Sequence, residues 1–559
     1  TILATFVSFD ATQGNVMESA ESLLQGLDPQ QRLAAETLIG PVRIIASAGS
    51  GKTKTISHRI AFGVASGVYA PEKVLALSYT SRSAAELRSR INALGIPAVQ
   101  VRTVHAAALA QLRYFWPQLT GVGAPKVVGS KKELLIEALK NLKIDSSQAV
   151  LRELASEIEW WKYSLLSPGE YAESERQLET VNRAVASDII VEYERLKNIS
   201  QQIDWEDVLI LTLGMIRSEP RVAEHVHSQY RFFTIDEFQD ISPLQFALLE
   251  SWIGDRSDLC VVGDPRQTIY SFAGASQGFL TGFESRFENT VSIELSNNYR
   301  SGSEVVGLAN RVMSDFPQMH SIGEVGEIRL EQYPSESAEA TSVAKMIATD
   351  IENGIPEAEI AVLFRVNSQA EPLTQKLSEM GIRHQLKTQE KFFQQPVISK
   401  AVQLIRASRF VEDKKPSEIV SDVLRELGWT MSPSGDLSAW ESMQALYEVL
   451  TEQSLSIAET IELIDSLQLQ HFEPVKQLVT LSTIHAAKGL EWRKVYLVGA
   501  SEGLLPYRMA QSDQELDEER RLSYVAITRA KRSLVITYSK QAGEVSRFLQ
   551  GIVDIRRPG

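Results

Sequence analysis

Cysteine is nearly absent from this sequence, since Cys260 is the only one among 559 residues. A single cysteine excludes an internal disulfide framework and a cysteine-rich zinc site, and it is typical of a reducing compartment. Apolar runs are short as well, and none approaches the ~20 residues that span a bilayer. The first residues, TILATFVSFDATQGN, lack the basic flank and the apolar region of a signal peptide. We therefore expect a cytoplasmic protein that does not act at a membrane.

Basic charge is in deficit, because 57 Lys and Arg oppose 71 Asp and Glu and leave a net charge of −14. Proteins that bind nucleic acid often carry a basic excess, so this balance argues mildly against such a partner. A long acidic chain can still carry local basic patches. Charge alone therefore does not decide the partner, and the length only suggests about three or four domains.

Short β-branched runs alternate with helical stretches over most of the chain. Nearly continuous apolar runs are expected of parallel strands buried on both faces. The fold is therefore predicted to be α/β, with two parallel sheets flanked by helices. The first series of predicted strands covers residues 42–48, 73–80, 231–237 and 258–264, and the second covers residues 291–296, 359–366, 494–500 and 533–539.

Helical spacing replaces the strand pattern in two long segments, as in KKELLIEALKNLKI. We interpret each segment as a helical insertion in one α/β domain. The predicted domains are a first lobe of residues 1–108 and 222–290 with insertion 109–221, and a second lobe of residues 291–390 and 479–559 with insertion 391–478.

A phosphate-binding loop follows the first predicted strand. Its glycines would let backbone N–H groups wrap a polyphosphate, Lys52 would reach the β and γ phosphates of ATP, and Thr53 would hold Mg²⁺. Ala46 stands where the general pattern has Gly, so a small-residue turn that ends a strand is the alternative. The order of strand, loop and helix favours the phosphate site. The loop, ASAGSGKT, comprises Ala46, Ser47, Ala48, Gly49, Ser50, Gly51, Lys52 and Thr53.

Two adjacent acids end another predicted strand, in the sequence RFFTIDE. Asp236 is expected to bind Mg²⁺ through its hydration shell, and Glu237 to orient or deprotonate an attacking water. Adjacent acids at the end of an isolated strand more often have a structural role. The phosphate loop upstream favours the catalytic interpretation, because both sites would meet at one edge of the sheet.

Ten motifs in order make the sequence similar, over nearly its whole length, to the superfamily-one DNA helicases of the UvrD, Rep and PcrA type. Within that family it most resembles the second UvrD-like group of actinobacteria. The resemblance implies two RecA-like P-loop lobes and movement from 3′ to 5′ along single-stranded DNA. The motifs are LDPQQR (27–32), ASAGSGKT (46–53), SYTSRSAAEL (78–87), TVHA (103–106), DWEDVL (204–209), IDEFQD (235–240), GDPRQTIYSFAGA (263–275), LSNNYRS (295–301), TLSTIHAAKGLEW (480–492) and EERRLSYVAITRAK (518–531).

The resemblance assigns roles around the nucleoside of ATP. Gln31 would contact the adenine edge, Tyr299 would stack on the base, and Glu491 would contact the ribose. Lys54 stands where an arginine near the adenine is usual, so base contact is expected to be weaker.

The resemblance also assigns three residues to the γ phosphate. Gln267 would sense it from the first lobe, and Arg300 and Arg529 would reach it as arginine fingers from the second. Either arginine alone would be read as a solvated surface charge, and only the motifs LSNNYRS and VAITRAK favour the catalytic role.

Single-stranded DNA is expected to cross both lobes, where aromatic stacking contributes about 1 to 3 kcal/mol per base. For each histidine alone, a hydrogen-bonded structural role is the simpler alternative. Core packing is favoured for the aromatic run RYFWP (113–117) and for Trp160 and Trp161. The expected DNA contacts are Tyr79, Thr80, His105, Tyr270, Phe272 and His485.

Three further departures from the family pattern qualify these expectations. Ala273 replaces a usual arginine that would help couple nucleotide to DNA. The insertion 391–478 is shorter than the corresponding family domain, which contacts duplex DNA. The sequence therefore supports translocation along DNA more strongly than unwinding of duplex by this chain alone. Because the sequence stops at RRPG soon after the last predicted strand and its only cysteine is Cys260, we expect in it neither the nuclease domain of the recombination relatives nor the C-terminal cysteine cluster of the actinobacterial group.

The sequence therefore predicts an ATP-dependent 3′–5′ DNA translocase and helicase in DNA repair or replication, acting on single-stranded DNA and its junctions with duplex. The alternative is a nucleotide-gated protein that binds DNA or a partner, or displaces proteins, with little intrinsic unwinding. A repair protein is left open as a partner. RNA unwinding is disfavoured because the motifs match the DNA-specific branch.

Overall fold

The computed structural model describes residues 20–174, 176, 178–387, 392–408, 414–432, 437–451, 455–469, 478–550 and 555–556. The N-terminal stretch TILATFVSFDATQGN and the last residues of the RRPG ending lie outside these ranges. Among the described residues, no helix is both long and apolar enough to cross a membrane.

The first large sheet is parallel throughout, with strands in the order β3-β2-β6-β7-β1-β8. We call the part of the chain built on it the first lobe. Its strands are β1 Val42–Ala46, β2 Val74–Ser78, β3 Gln100–Thr103, β6 Phe232–Ile235, β7 Leu259–Gly263 and β8 Val291–Leu295; two short strands of the first insertion, β4 Lys126–Val127 and β5 Gln202–Ile203, pair separately.

The second large sheet is also parallel, in the order β13-β14-β12-β15-β16-β11-β17, and it defines the second lobe. Its strands are β11 Glu327–Tyr333, β12 Ile360–Phe364, β13 His384–Lys387, β14 Val479–Thr483, β15 Trp492–Leu497, β16 Ala530–Ser539 and β17 Ile555–Arg556; β9 Asn297–Asn298 and β10 His320–Ser321 form a separate pair. The α/β prediction with two parallel sheets is confirmed.

Helices flank both sheets and make up most of the described part of each insertion. Those up to residue 286 are α1 Pro29–Glu36, α2 Lys52–Ala65, α3 Ser81–Ala93, α4 Val104–Thr120, α5 Lys132–Asn141, α6 Gln148–Tyr163, α7 Pro168–Glu173, α8 Arg183–Ile199, α9 Trp205–Ser218, α10 Pro220–Gln229, α11 Pro243–Ile253, α12 Gly278–Thr281 and α13 Phe283–Arg286. Those after it are α14 Ser303–Val312, α15 Glu336–Glu352, α16 Ala370–Glu379, α17 Pro396–Ala407, α18 Pro416–Glu426, α19 Leu437–Thr451, α20 Ile457–Leu469 and α21 Asp513–Ile527.

One strand assignment from the sequence is wrong. The run at 291–296 was predicted to open the second sheet, but β8 pairs in parallel with β1, with Val42 opposite Val291. β8 is an edge strand whose residues alternate between exposed and buried at its end, and its apolar pattern does not reveal which sheet it joins. The first lobe therefore extends past the predicted boundary at residue 290.

The cores lie on both faces of each sheet, and one of them joins the lobes. Ala48 and Ile269 of the first lobe are buried in the same apolar cluster as Val525 and Ile484 of the second. The lobes therefore share packed surface directly beside the phosphate-binding loop.

The aromatic residues assigned to core packing behave mostly as predicted. Phe115 is buried in the main core of the first lobe and Trp116 packs against it, while Trp160 and Trp161 pack against the core of the first insertion. Tyr114 is the exception in this group, with 54% of its surface exposed.

Candidate functional site

The phosphate-binding loop lies between β1 and α2, at the wall of a cleft of about 790 Å³ between the lobes. Gly49 and Gly51 have φ angles of 73° and 80°, in the left-handed region that favours glycine. A Cβ atom at Gly49 would lie 2.7 Å from Asn298 Nδ2, and one at Gly51 would lie 2.7 Å from Gln31 Nε2. Glycine is therefore needed at both positions, because the loop is packed against other parts of the site.

The two acids after β6 lie at the same end of the sheet as this loop. Lys52 Nζ is 2.7 Å from Glu237 Oε1, and Gln239 Nε2 donates to Glu237 Oε2 at 2.6 Å. Burial opposes ionisation of Glu237, but the charges of Lys52 and then Lys488 outweigh it and lower its pKa. Glu237 is therefore a carboxylate, with both of its oxygens held by hydrogen-bond donors.

The residues predicted to hold Mg²⁺ fit that ion. Thr53, in the first turn of α2, and Asp236 both line the cleft beside Lys52 and offer the hard oxygen ligands that Mg²⁺ prefers. Burial raises the pKa of Asp236 despite the attraction of Lys52, and the charge of Glu237 raises it further. A divalent cation beside Asp236 would offset this cost of burying its charge.

The second lobe contributes two arginines to the cleft. Arg529 is 1% exposed, and its Nη2 lies 3.3 Å from Gln267 Oε1 of the first lobe. Burial lowers the pKa of Arg529 to about 10, with Arg300 adding to the effect, so it remains charged near neutral pH. Arg300 Nε lies 2.5 Å from Glu491 Oε2, and Lys531 Nζ lies 3.0 Å from the other carboxylate oxygen.

The residues predicted to contact the base lie around the start of α1. Asp28 caps this helix in a capping box with Gln31, whose Nε2 donates to the carbonyl oxygen of Ser50 at 2.9 Å. Tyr299 donates to Asp28 Oδ2 at 2.5 Å and leaves 46% of its surface exposed, which makes its ring accessible for stacking. Lys54, which stands where an arginine near the adenine is usual, donates from Nζ to the carbonyl oxygen of Gly26 at 2.6 Å.

Four of the predicted DNA contacts form one row of rings across both lobes. The Tyr79 and Tyr270 rings are stacked with centroids 5.8 Å apart and planes 13° from parallel. Phe272 lies edge-on to Tyr270 at 6.0 Å and to His485 at 5.8 Å. Burial lowers the pKa of His485 to about 3, so its imidazole is neutral. We call Tyr79, Tyr270, Phe272 and His485 the aromatic row.

The other two predicted DNA contacts are held by local structure. Thr80 Oγ1 accepts the backbone N–H of Ser83 at 3.1 Å and so caps α3 directly after Tyr79. His105 Nε2 is 3.0 Å from Tyr163 Oη of the first insertion. This contact matches the structural alternative for His105, and a DNA contact by either residue stays a prediction.

Sequence reasoning missed the residues that connect the row to the cleft. Lys488 Nζ lies 2.6 Å from Asp240 Oδ2 and 4.9 Å from the centroid of the Tyr270 ring, and it donates to the carbonyl oxygen of Gln267. Glu518 accepts the hydroxyl and the backbone N–H of Ser271, beside Phe272. Lys488 lies in the motif segment AAKGLEW and Glu518 in EERRLSY. Membership of these motifs is the only signal in the sequence that could have indicated either residue.

Two family models cover most of the chain. The UvrD/REP helicase N-terminal domain matches residues 27–288, and the UvrD-like helicase C-terminal domain matches residues 293–434 and 424–541. The chain is 39% identical to the ATP-dependent DNA helicase UvrD2 of Mycobacterium tuberculosis, over 96% of this chain and 82% of that protein. It is 27% identical to the ATP-dependent DNA helicase PcrA of Leuconostoc citreum, over 96% and 86%, and 26% identical to PcrA of Bacillus subtilis, over 93% and 84%.

Proposed function

Because the chain belongs to the UvrD-like helicase family, as its ten motifs predicted, we propose that it is an ATP-dependent DNA helicase that hydrolyses ATP between its two lobes. The observation that carries the proposal is the contact of Arg529 with Gln267 across the cleft. It brings a cation of the second lobe to the first-lobe residue predicted to sense the γ phosphate. The proposal keeps the predicted lobes, with residues 291–295 assigned to the first because β8 pairs with β1.

Hydrolysis begins when the phosphates of ATP take the place of Glu237 beside Lys52. The loop amides and Lys52 bind the phosphates, and Glu237, still held by Gln239, becomes free to take a proton from the attacking water. Arg529 and Arg300 stabilise the charge that develops on the γ phosphoryl group. Thr53 and Asp236 would hold Mg²⁺, which would supply positive charge to neutralise the phosphates.

Closure of the cleft is coupled to DNA through the segment 267–272. Gln267 lies at its cleft end and the aromatic row at its other end, with Lys488 touching both. ATP draws the arginines of the second lobe toward the first, and loss of the γ phosphate releases them. Bases stacked on the row are then gripped differently in the two states, which moves the protein from 3′ to 5′ along one strand.

The substrate is single-stranded DNA and its junction with duplex, and the family resemblance supports a role in DNA repair or replication. The test uses one duplex with a 3′ single-stranded tail, the same duplex with a 5′ tail, and single strands blocked by streptavidin at either end. ATP-dependent unwinding from the 3′ tail only and displacement from the 5′ end only are the expected results. Movement without unwinding would support the alternative of a protein displacer, and the opposite polarity would contradict the proposal.

A further inference from the structure

The hydroxyl group of Tyr524, on α21 of the second lobe, lies against two parts of the first lobe. It accepts the backbone N–H of Ala48 in the phosphate-binding loop at 3.3 Å, and it lies 3.1 Å from Asp264 Oδ2. Met319 Sδ, at 3.4 Å, is the competing acceptor for its proton, and a carboxylate is the stronger one. Tyr524 is fully buried, and burial with the nearby Asp264 raises its pKa, so it keeps the proton it donates.

Asp264 in turn fixes the orientation of Gln267. Its Oδ1 accepts from Arg266 Nε at 2.8 Å, and its Oδ2 accepts from Gln267 Nε2 at 2.9 Å. A carboxylate only accepts hydrogen bonds, so the Gln267 amide must present its NH₂ group to Asp264. The amide oxygen then faces Arg529, whose guanidinium only donates.

The same carboxylate residue is tied to the predicted general base. The backbone N–H of Asp264 donates to Gln239 Oε1 at 3.0 Å, and the amide nitrogen of Gln239 holds Glu237. The phosphate loop, Glu237 and Gln267 therefore meet in one hydrogen-bond network, and Tyr524 joins it from the opposite lobe.

We propose that Tyr524 is a positioning residue that, through Asp264, holds Gln267 in the orientation required for hydrolysis only while the lobes are closed. When the lobes separate, its hydroxyl loses the hydrogen bonds to Ala48 and to Asp264 at the same time. Gln267 then loses part of the support that turns its oxygen toward Arg529. This inference rests on the proposed ATPase, and it adds a role for a residue that contacts no substrate.

The test compares Tyr524→Phe with Tyr496→Phe, which removes a matched hydroxyl. Tyr496 is also fully buried in the second lobe, and its hydroxyl donates to Asp350 of the same lobe. Asp350 also forms an ion pair with Lys494, with 2.6 Å between Lys494 Nζ and Asp350 Oδ1. With saturating single-stranded DNA, Tyr524→Phe is expected to lower kcat about 10-fold, or about 1.4 kcal/mol, with KM for ATP changed less than about 2-fold. Tyr496→Phe is expected to keep the kcat of the unaltered protein.

A double-mutant cycle distinguishes positioning from a general structural effect. Adding Tyr524→Phe to Gln267→Ala should lower kcat no further, because the residue it positions is already gone. Additive losses, or an unchanged kcat in Tyr524→Phe, would overturn the inference. If Tyr524→Phe does not fold, Asp264→Asn should give the same loss of kcat in its place, and an unchanged kcat there would overturn it. Failure of DNA to stimulate the unaltered protein would instead contradict the proposed function.

Discussion

Lys52 and Glu237 form a direct ion pair in the cleft, with 2.7 Å between Nζ and Oε1. The residue predicted to bind phosphate is therefore paired directly with the residue predicted to activate water. In the proposed mechanism, ATP has to separate them before hydrolysis can begin, so the pair would hold the base inactive until phosphate is bound.

Glu237→Gln should separate nucleotide binding from hydrolysis. The neutral amide cannot take a proton from water, so kcat should fall at least about 100-fold. Affinity for a fluorescent ATP analogue should be retained or increased, because Lys52 is no longer held by a carboxylate. Glu284→Gln is the matched control, since it breaks a comparable but more exposed pair with Arg43. Retained hydrolysis in Glu237→Gln would remove this residue from its proposed role.

Arg529→Ala should abolish most hydrolysis while leaving DNA binding intact. An arginine finger contributes about 10³- to 10⁵-fold to kcat, and Arg529 is buried at the contact with Gln267 rather than in the aromatic row. Arg532→Ala is the control, because Arg532 lies on β16, which begins directly after Arg529, and pairs with exposed Glu324. Equal hydrolysis by the two variants would show that Arg529 does not stabilise the transition state.

Ala273→Arg should increase the stimulation of hydrolysis by single-stranded DNA. Ala273 belongs to the short turn whose Ser271 is held by Glu518 of the second lobe, so an arginine there adds a cation to an interlobe contact. We expect the ratio of stimulated to basal kcat to rise about 5-fold. Ala93→Arg, at an exposed position near the end of α3, controls for added charge. An unchanged ratio in Ala273→Arg would count against the coupling path through this turn.

His485 should contribute to DNA binding without titrating. Burial, with Arg365 and Lys488 nearby, lowers its pKa to about 3, so the imidazole stays neutral at every pH well above that value. The difference in DNA affinity between the unaltered protein and His485→Asn should therefore be the same at about pH 5.5 and about pH 8, at constant salt. A difference that grows as the pH falls would mean that His485 binds DNA as a cation.

The local parts of this site could be predicted from the sequence, and the connections between them could not. ASAGSGKT specifies a loop through its own glycines and the strand and helix beside it. Among the described strands of the two large sheets that are longer than two residues, four were not predicted: β3, β11, β13 and β14. Of these, β3 and β13 are short and half-buried, without a continuous apolar run. β8 was placed in the wrong sheet because its partner β1 lies about 250 residues earlier, and the apolar pattern of a strand does not show which distant strand it pairs with.

The network around Gln267 shows the same limit. Tyr524 and Lys488 come from segments more than 200 residues away from Asp264 and Asp240, and neither residue type is distinctive in its motif. Only the folded arrangement shows that one hydroxyl reaches both the phosphate loop and the carboxylate that orients Gln267.

We propose above that ATP hydrolysis in the cleft is coupled to DNA bound on the aromatic row. The most direct measurement is the steady-state ATPase rate with and without single-stranded DNA, in the unaltered protein and in Tyr270→Ala. Tyr270 stacks on Tyr79, contacts Lys488 and donates to the carbonyl oxygen of His485. We predict strong stimulation of the unaltered protein and its loss in Tyr270→Ala, with basal hydrolysis kept. A rate that does not respond to DNA, or a Tyr270→Ala variant that is stimulated as strongly, would contradict this account.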